Sequence, residues 1–374
     1  MKNIKLAIDL GTTTIDMSLL DATGNVIRNK SIKNRQSLYG SDVINRILTA
    51  VRDDKYLKIM KDIVIEDISK ELIDMFKEAD ISGEDINNAI ICGNTTMISI
   101  LLEYNLEVLG YAPFETKLKN SIHTEFKQIF GEKLGINCPL VLSGCVSAFI
   151  GGDIISGLIY LKNTYDCFKD TDVSILIDLG TNGEMVIGKH GSLYATSTAC
   201  GPAFEGSLKK QGVYGSSLID AISLGIKTGN ISEAGILKDA YIEKGINISC
   251  IHIDAEMLRD IMSAKAAIRT GIDFLLKESN TELSEIDNVY IAGGFGEHLN
   301  IKSAIDIGLI HFELHEKIKI VGNTSLYGAA MMINNNALIK DMDEYTEDKV
   351  LVLQLANNKE YQESLINNMC FKRA

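Results

Sequence analysis

The chain has 374 residues, of which 46% are hydrophobic and 3 are proline. This length favours two domains of similar size, and this composition excludes extended disorder. The net charge of −13, from 37 basic and 50 acidic residues, argues against nucleic acid or an anionic membrane as the main partner. Seven cysteines without a C-x-x-C spacing are typical of reduced thiols, so we expect a cytoplasmic protein whose chain carries no iron–sulfur cluster.

The first predicted elements are three strands, at residues 6–10, 15–20 and 26–30. The first strand ends in an Asp-x-Gly-Thr turn that joins it to the second. Gly11 lets the backbone turn so that successive N–H groups point into one concavity, an arrangement that binds phosphate. Asp9 would hold Mg²⁺ directly or through its waters. Three side chains on the turn would add hydroxyl donors: Thr12, Thr13 and Thr14.

Helical periodicity predicts two helices next, at residues 41–50 and 56–79. A buried strand, a Gly-Asn break and a helix follow in the run NAIICGNTTMISILLE. The stretch VLSGCVSAFIGGDIISGLIYL has the length of a membrane span, but Asp153 and four glycines lie inside it. A charge near the centre of a span costs about 2.5 to 3.5 kcal/mol on insertion scales. We therefore expect a buried loop and helix in this region.

The first hairpin is repeated in the second half of the chain, in the run ILIDLGTNGEMVIG. Asp178 is the equivalent of Asp9, and we expect it to hold Mg²⁺ in the same way. Three residues form the second turn: Gly180, Thr181 and Asn182. Glu184 lies on the same hairpin, where it would orient an attacking water or be an ordinary surface carboxylate. Either hairpin alone is compatible with a simple turn, but the pair predicts a phosphate clamp.

Two later loops are further candidates for nucleotide contact. The first, TSTACGPAFEGSLKKQG at residues 196–212, carries Gly201 and Glu205. Glu205 would meet ribose hydroxyls, or it is a solvated loop carboxylate. The second, AGGFGEHL at residues 292–299, follows an apolar strand, and its glycines let the backbone approach a flat ligand closely. Its candidate residues are Gly293, Gly294, Phe295 and Gly296. The glycine spacing matches neither a Rossmann fingerprint nor a P-loop.

The remaining patterns concern the organisation of the chain. His311 and His315 are four residues apart, but the HExxH order is not met, so we expect exposed imidazoles on a loop or strand. Small residues cluster at 148–157 and 328–330, where crossing helices would form a hinge or pack in the ordinary way. We divide the chain into a first lobe, a second lobe and a C-terminal strand and helix that pack back on a lobe, at residues 1–165, 166–340 and 341–374.

The two hairpins and the AGGFG loop resemble the superfamily of acetate and sugar kinases, heat-shock chaperone ATPases and actin. Within that superfamily, an ordered set of blocks resembles the ATPase part of the reductive activators of corrinoid proteins. The blocks are NRQSLYGSDVINRI, CGNTTM, YAPF, IDLGTNGE, ACGPAFEG, SAKAAIRTGIDFLL, AGGFGEHL, IGLI and VGNTSLYGAA. The resemblance covers nearly the whole chain. It implies an α/β, two-lobed actin-like ATPase fold, made of duplicated ribonuclease H-like domains with an interlobe nucleotide cleft.

The resemblance also implies an activity. Members of that family use ATP and Mg²⁺ to help drive an electron onto the cobalt of an inactive Co(II) corrinoid protein, which restores Co(I). The implied partner is a corrinoid protein or a component of a corrinoid-dependent methyltransferase, and a homodimer is compatible with the resemblance. The iron–sulfur domain that usually supplies the electron is not evident in the sequence. Either a separate ferredoxin-like protein therefore delivers the electron, or the chain is a variant whose target is another metalloprotein.

Two other functions remain open from the residues alone. A small-molecule kinase of the same superfamily, acting on a sugar or a carboxylate, needs a base near the acceptor hydroxyl, and Asp42 is its one candidate. An actin-like filament or a chaperone is less supported, because the sequence shows no substrate-binding β-domain. Stimulation of ATP hydrolysis by a corrinoid protein would favour the activator, whereas stoichiometric phosphorylation of a sugar would favour the kinase.

Overall fold

The computed structural model describes residues 2–200, 215–355 and 358–371. The chain forms two compact units. Unit 1 comprises Met1–Asp166 and Asn323–Val352, and unit 2 comprises Cys167–Gly322 and Leu353–Ala374. Two of the predicted nucleotide contacts, Gly201 and Glu205, lie outside the described residues.

Strands and helices alternate along the described chain. The strands are β1 (Ile4–Leu10), β2 (Thr14–Leu20), β3 (Val26–Lys33), β4 (Ile86–Gly93), β5 (Ile122–Glu125), β6 (Pro139–Leu142), β7 (Val173–Leu179), β8 (Asn182–Lys189), β9 (Ser192–Ala199), β10 (Ile246–Ile248), β11 (Ile251–Ile253), β12 (Asn288–Ala292), β13 (Ile318–Gly322) and β14 (Val350–Val352). The α-helices are α1 (Val43–Arg52), α2 (Lys55–Ala79), α3 (Thr95–Leu101), α4 (Glu107–Gly110), α5 (Phe126–Phe130), α6 (Gly152–Tyr165), α7 (Gly215–Lys227), α8 (Ala255–Glu278), α9 (Ile301–Asp306), α10 (Thr324–Asn334), α11 (Ala337–Glu344) and α12 (Lys359–Asn367).

Unit 1 is built on a sheet with the strand order β3-β2-β1-β4-β6-β5. The first three strands form an antiparallel meander, while β4 runs parallel to β1 and β6 runs parallel to β4. The apolar residues Leu6, Ile8 and Leu10 of β1 are fully buried and belong to one core with Ile68 and Leu72 of α2. Burying each such side chain stabilises the fold by about 1.5 to 3 kcal/mol. This burial holds β1 in place and so positions Asp9 near its end.

Unit 2 repeats this arrangement. Its strands β7, β8 and β9 form the antiparallel meander, and the parallel strands β12 and β13 extend the sheet on the other side of β7. The order β13-β12-β7-β8-β9 therefore corresponds to β6-β4-β1-β2-β3. Ile175, Ile177 and Leu179 of β7 share a core with Ile268 and Ile272 of α8. The same meander with the same parallel extension in both units confirms the predicted duplicated α/β fold.

Unit 1 includes a late segment of the chain. Helix α10 packs on β1, β4 and α6. Where it crosses α6, a Cβ atom on Gly328 would lie 2.0 Å from the carbonyl oxygen of Ser156, so only glycine permits this approach. Ser156 Oγ also donates to the carbonyl oxygen of Ser325 at 2.7 Å. This packing explains why Asn323–Val352 belongs to unit 1, whereas the division based on sequence kept residues up to 340 in the second lobe.

The stretch that resembled a membrane span forms β6, a connecting loop and α6. In the part of the chain that the structure describes, no helix is both long enough and apolar enough to cross a bilayer. The first half of helix α6 is instead buried on all sides, because the six consecutive residues 154–159 are all buried and span more than one turn. Its buried apolar residues are Ile154, Ile155, Leu158, Ile159 and Leu161.

The residues after α12 complete the core of unit 2. Phe371 is 1% exposed, packs in the core around β7 and α8, and donates its N–H to the carbonyl oxygen of Glu233 at 2.7 Å. Lys265 of α8 donates to the carbonyl oxygens of Asn368 and Cys370, at 2.9 and 2.8 Å. Burial lowers the pKa of Lys265 to about 8. The segment is thus held both by an aromatic side chain and by a buried ammonium group.

Candidate functional site

A polar cluster surrounds Asp9 at the end of β1. Asp9 lies opposite Asp16 of β2 in the antiparallel register. Ser325 Oγ donates to Asp9 Oδ1 at 2.8 Å, while Asn323 Nδ2 donates to Asp9 Oδ2 at 2.9 Å and to Asp16 Oδ2 at 3.1 Å. The start of α10 therefore fixes the orientation of both carboxylates, although Asn323 is 314 positions from Asp9 in the chain.

The pKa of Asp9 is raised to about 7. Burial is the largest cause, followed by the negative charges of Asp16 and Asp153, while hydrogen bonds from Ser325 and Asn323 act in the opposite direction. Carboxylates that lie close together oppose one another's ionisation unless a cation neutralises them. The chemistry of this set therefore fits a divalent cation beside Asp9.

Such a cation would keep part of its water shell, as Mg²⁺ usually does. Within the described residues, no group of three or more His, Cys, Asp and Glu side chains could ligate one ion directly. The carboxylate of Asp9 would then act through metal-bound waters or as a single direct ligand.

Asp153 is a site residue that the sequence analysis missed. In the sequence it is evident only as a charge inside an apolar stretch. The structure places it in the first turn of α6. A Cβ atom on Gly151, the N-cap residue of that helix, would lie 2.7 Å from Asp153 Oδ1 and 2.8 Å from the backbone nitrogen of Thr95. The signal that predicts such a residue is the sequence Gly-Gly-Asp at a helix start, where the backbone allows close approach and the helix dipole favours an anion.

The turn after β1 is held by two residues that come from outside it. Asn34 Nδ2 donates to the carbonyl oxygen of Gly11 at 3.0 Å, and Asn34 N–H donates to that of Thr13 at 2.8 Å. Arg46 Nη2 donates to the carbonyl oxygen of Thr12 at 2.6 Å. Asn34 and Arg46 are both 0% exposed. Each carbonyl group of the predicted phosphate turn thus has a donor within unit 1.

Side chains link the same turn to two neighbouring strands. Thr12 Oγ1 accepts from Asn94 Nδ2 at 2.8 Å. Asn94 also caps α3, because its Oδ1 accepts from the N–H of Met97 at 3.0 Å. Thr14 Oγ1 donates to Asp16 Oδ2 at 3.4 Å. The GNTT motif after β4 therefore has a structural role in positioning the first hairpin.

The second hairpin has the same plan within unit 2. Asp178 on β7 is the register partner of Glu184 on β8, and directly opposed residues of an antiparallel pair lie on the same face of the sheet. Glu184 is 8% exposed, so its interpretation as a surface carboxylate is wrong: β7 and β9 flank the strand that carries it. Thr181 is 4% exposed. The N–H of Gly180 donates to the carbonyl oxygen of Asn182 at 3.0 Å and closes the turn.

The AGGFG loop packs against Asp178. Gly293 has a φ of +86°, and a Cβ atom there would lie 2.5 Å from the carbonyl oxygen of Leu179 and 2.6 Å from Asp178 Oδ1. Both the conformation and the space require glycine. At Gly294, by contrast, no described atom comes within 4 Å of the equivalent position. Among the described residues, the space beside Gly294 is therefore empty, whereas Leu179 and Asp178 fill the space beside Gly293.

The two remaining residues of that loop face the protein interior. Phe295 is 8% exposed and belongs to the hydrophobic core of unit 2. A Cβ atom on Gly296 would lie 2.7 Å from Ile291 Cγ2. The ring of Phe295 thus anchors the loop, and Gly296 allows it to lie close to β12.

Asp42, the one candidate base of the kinase alternative, caps α1. Its Oδ1 accepts from the backbone N–H of Asn45 at 2.9 Å, and its Oδ2 accepts from Asn45 Nδ2 at 2.6 Å and from Ser41 Oγ at 3.1 Å. Both carboxylate oxygens of Asp42 are therefore engaged in contacts within its own turn. This geometry does not favour phosphoryl transfer assisted by Asp42.

The expectation that His311 is exposed was wrong, since it is 9% exposed. Arg269 Nη2 donates to His311 Nδ1 at 2.8 Å, so the proton is on Nε2, which donates to Asp273 Oδ1 at 2.6 Å. The ring is buried because it joins the ion pair between Arg269 and Asp273 on α8. His315 is exposed, as expected.

Comparison with known families accounts for almost the whole chain. Residues 4–163 match the family described as the RACo middle region, and residues 172–213 and 207–374 match the family described as the C-terminal domain of RACo, the ASKHA domain. The chain belongs to the RACo family. This result confirms the resemblance to the reductive activators of corrinoid proteins and identifies the duplicated fold as the actin-like ASKHA fold, an ATPase-type domain.

Three relatives of this RACo-family chain are informative. The corrinoid activation enzyme RamQ of Eubacterium limosum is 29% identical over 392 residues, which cover 88% of this chain and 64% of RamQ. The [Co(II) methylated amine-specific corrinoid protein] reductase of Methanosarcina barkeri is 22% identical over 400 residues, which cover 91% of this chain and 71% of the reductase. The solved structure of a reductive activator for corrinoid, iron-sulfur protein is 27% identical, with a TM-score of 0.88, and the match covers 99% of this chain and 66% of that one. The chain thus spans about two thirds of the length of these relatives.

Proposed function

We propose that the chain binds and hydrolyses ATP in order to assist the reductive reactivation of a corrinoid protein, or of a related low-potential metalloprotein, from Co(II) to Co(I). The observation that carries this proposal is that one RACo-family chain has two sheet-end hairpins, each with an aspartate, a glycine turn and a threonine. The activities in the names of the relatives, corrinoid activation and Co(II) corrinoid protein reduction, support it.

Each hairpin would contribute to the binding of Mg²⁺·ATP through backbone N–H groups and one carboxylate. Asp9 and Asp178 would hold the metal, partly through water, and Glu184 would orient the attacking water. Bound Mg²⁺ would neutralise negative charge on the phosphates. Phe295 and Gly296 would support the loop from the interior rather than touch the nucleotide. The other proposed contacts are Gly11, Thr12, Thr13, Thr14, Gly180, Thr181, Asn182, Gly201, Glu205, Gly293 and Gly294.

ATP would act through a change in affinity for the partner. A nucleotide shifts a conformational equilibrium only by its differential affinity for the two states, so the ATP-bound chain would bind the Co(II) form of the partner more tightly than the ADP-bound chain does. One electron from a low-potential, ferredoxin-like donor would then reduce Co(II) to Co(I). We also predict that a separate protein donates the electron and that this chain carries no iron–sulfur cluster. A homodimer is compatible with this scheme.

The test is an anaerobic reduction assay that follows the absorption of Co(I). A Co(II) corrinoid protein and a reduced ferredoxin are mixed with the chain and ATP, ADP or no nucleotide. We expect faster formation of Co(I) with ATP, and loss of that acceleration in Asp178→Ala, because the proposed metal ligand is removed. Glu278→Ala is the matched control, since Glu278 is an exposed carboxylate at the end of α8, outside both hairpins. Equal rates with and without ATP, together with phosphorylation of a sugar or carboxylate, would favour the kinase instead.

A further inference from the structure

The donors that hold the first turn determine which way its peptide groups face. In a trans peptide the C=O and N–H groups point in opposite directions. Donors from Asn34 and Arg46 engage three successive carbonyl oxygens, so each N–H group that follows points away from the donor that holds its own peptide group. The carbonyl groups are those of Gly11, Thr12 and Thr13.

We propose that Asn34 and Arg46 are positioning residues for nucleotide binding, and that they keep the N–H groups of the first turn directed at the phosphates. This inference rests on the proposed function, since it needs the turn to bind Mg²⁺·ATP. Without these donors, the peptide groups of a glycine-containing turn can rotate, and a carbonyl oxygen that faces a phosphate repels it. Neither residue would touch the nucleotide.

The hydrogen bonds of Arg46 use the whole guanidinium group. Nε donates to the carbonyl oxygen of Gly40 at 2.9 Å, Nη1 to Gln36 Oε1 at 3.0 Å, and Nη2 to the carbonyl oxygen of Thr12 at 2.6 Å. A buried cation is costly unless hydrogen bonds satisfy it, and the planar fork of arginine can reach three acceptors in different directions. Lysine keeps the charge but has one nitrogen, so it cannot hold all three acceptors.

The charge of Arg46 has a second effect. The chain has a net charge of −13, and Asp9, Asp16 and Asp153 lie close enough together for the charges of the other two to raise the pKa of Asp9. A guanidinium group that donates to the turn brings a fixed positive charge beneath the place where phosphate would approach. Arg46 would therefore favour phosphate binding both by orienting the peptide groups and by offsetting the nearby carboxylates.

Asn34 allows a nearly isosteric test. Its Nδ2 donates to Gly11, while its Oδ1 accepts from the backbone N–H of Gln36 at 3.0 Å and caps the short 3₁₀ helix Arg35–Tyr39. Asn34→Asp preserves the capping oxygen and removes the donor to Gly11. Arg46→Lys preserves the charge and removes part of the fork. The two variants thus each weaken the hydrogen bond to a different carbonyl group of the same turn.

The experiment measures the affinity of purified chain for Mg²⁺ and a non-hydrolysable ATP analogue by calorimetry, together with KM and kcat of ATP hydrolysis. We expect each variant to bind the analogue about tenfold more weakly, since one hydrogen bond to the turn is lost. KM should rise by a similar factor while kcat changes less, because the groups that act on the attacking water remain in place. If Arg46→Lys does not fold, Asn34→Asp decides the question.

Two controls separate positioning from general loss of stability. Arg52→Lys changes an exposed arginine on the same helix and should leave affinity unchanged. Leu72→Ala removes a fully buried side chain of α2, and should lower the melting temperature without weakening nucleotide binding. Unchanged affinity in both Asn34→Asp and Arg46→Lys, when the wild type binds, would overturn the positioning role alone. Failure of the wild type to bind any nucleotide would overturn the proposed function and this inference together.

Discussion

Asp9 retains a proton at a pH where an isolated aspartate has lost it. Burial and the charges of Asp16 and Asp153 raise its pKa to about 7, from an ordinary 3.8. The carboxylate is therefore destabilised in its charged form, and the bound cation that the cluster fits would relieve this cost. Cation binding would also release a proton below pH 7, so affinity for Mg²⁺ should fall as the solution becomes more acidic.

The first prediction concerns the stability of the nucleotide-free chain. Between pH 4 and 7 the folded state keeps the Asp9 proton that the unfolded state has lost, so the contribution of this group to stability falls as pH rises. Asp9→Asn should remove that dependence. We expect the variant to be more stable than the wild type by about 4 kcal/mol at pH 8, with a much smaller difference at pH 4. Urea denaturation at both pH values measures it, and a constant difference would contradict the raised pKa.

The second prediction concerns Gly293. Gly293→Ala would force a side chain into a left-handed conformation and place its Cβ 2.5 Å from the carbonyl oxygen of Leu179. We expect a loss of stability of about 1 to 3 kcal/mol and a displaced loop beside Asp178. Gly294→Ala is the matched control for stability, because the equivalent position there is open. Equal unfolding free energies for the two variants would contradict the required glycine conformation.

Among the elements, α8 combines two roles in unit 2. Its apolar face lies in the core under β7, and its polar face carries Lys265, Arg269 and Asp273 at a spacing of four residues. These side chains hold the residues that follow α12 and the ring of His311. Helix α8 therefore packs both against the sheet that carries the second hairpin and against the last described residues of the chain.

The third prediction tests how strongly that last segment is held. Phe371→Ala removes a side chain that is 1% exposed, and should lower the unfolding free energy by about 3 to 5 kcal/mol. Met369→Ala, at a position that is 38% exposed, should change it by less than about 1 kcal/mol. Thermal unfolding of both variants measures the difference. A Phe371→Ala protein as stable as the Met369→Ala protein would show that the segment does not contribute to the core.

Local sequence patterns determine some of these elements but not all of the contacts at the candidate site. Strand alternation and turn chemistry are local, so β1, β2, β7, β8 and both hairpins could be predicted from neighbouring residues. The roles of Asn34 and Arg46 could not, because they depend on contacts with residues distant in the chain. The exposure of His311 was misjudged for the same reason: its partners lie on α8, 38 and 42 positions away.

At the scale of the whole molecule, each unit is made of two separate parts of the chain. Unit 1 needs Asn323–Val352, and unit 2 needs Leu353–Ala374. The first hairpin depends on this arrangement directly, because Asn323 and Ser325 orient Asp9. A site that looks local in the sequence is therefore completed by residues from the far end of the chain.

The fourth prediction follows from that division. A fragment of residues 1–166 lacks α10, which covers β1 and β4, so it should expose apolar surface and fail to unfold cooperatively. Adding residues 323–352 as a separate peptide should restore a cooperative transition. A peptide in which Gly328 is replaced by alanine should not, because its Cβ would lie 2.0 Å from the carbonyl oxygen of Ser156. Circular dichroism and dye binding follow both effects, and cooperative unfolding of the fragment alone would refute the prediction.

The late position of α10 also has a consequence for synthesis. The ribosome completes the first part of unit 1 at residue 166 and reaches Asn323 only 157 residues later (323 − 166). At about 5 to 20 residues per second, that interval lasts roughly 8 to 31 s. Throughout it the nascent sheet lacks one of its covering helices, so the growing chain is a substrate for chaperones that bind exposed apolar surface. A message truncated before this helix would therefore yield a product that quality control can distinguish from the finished protein.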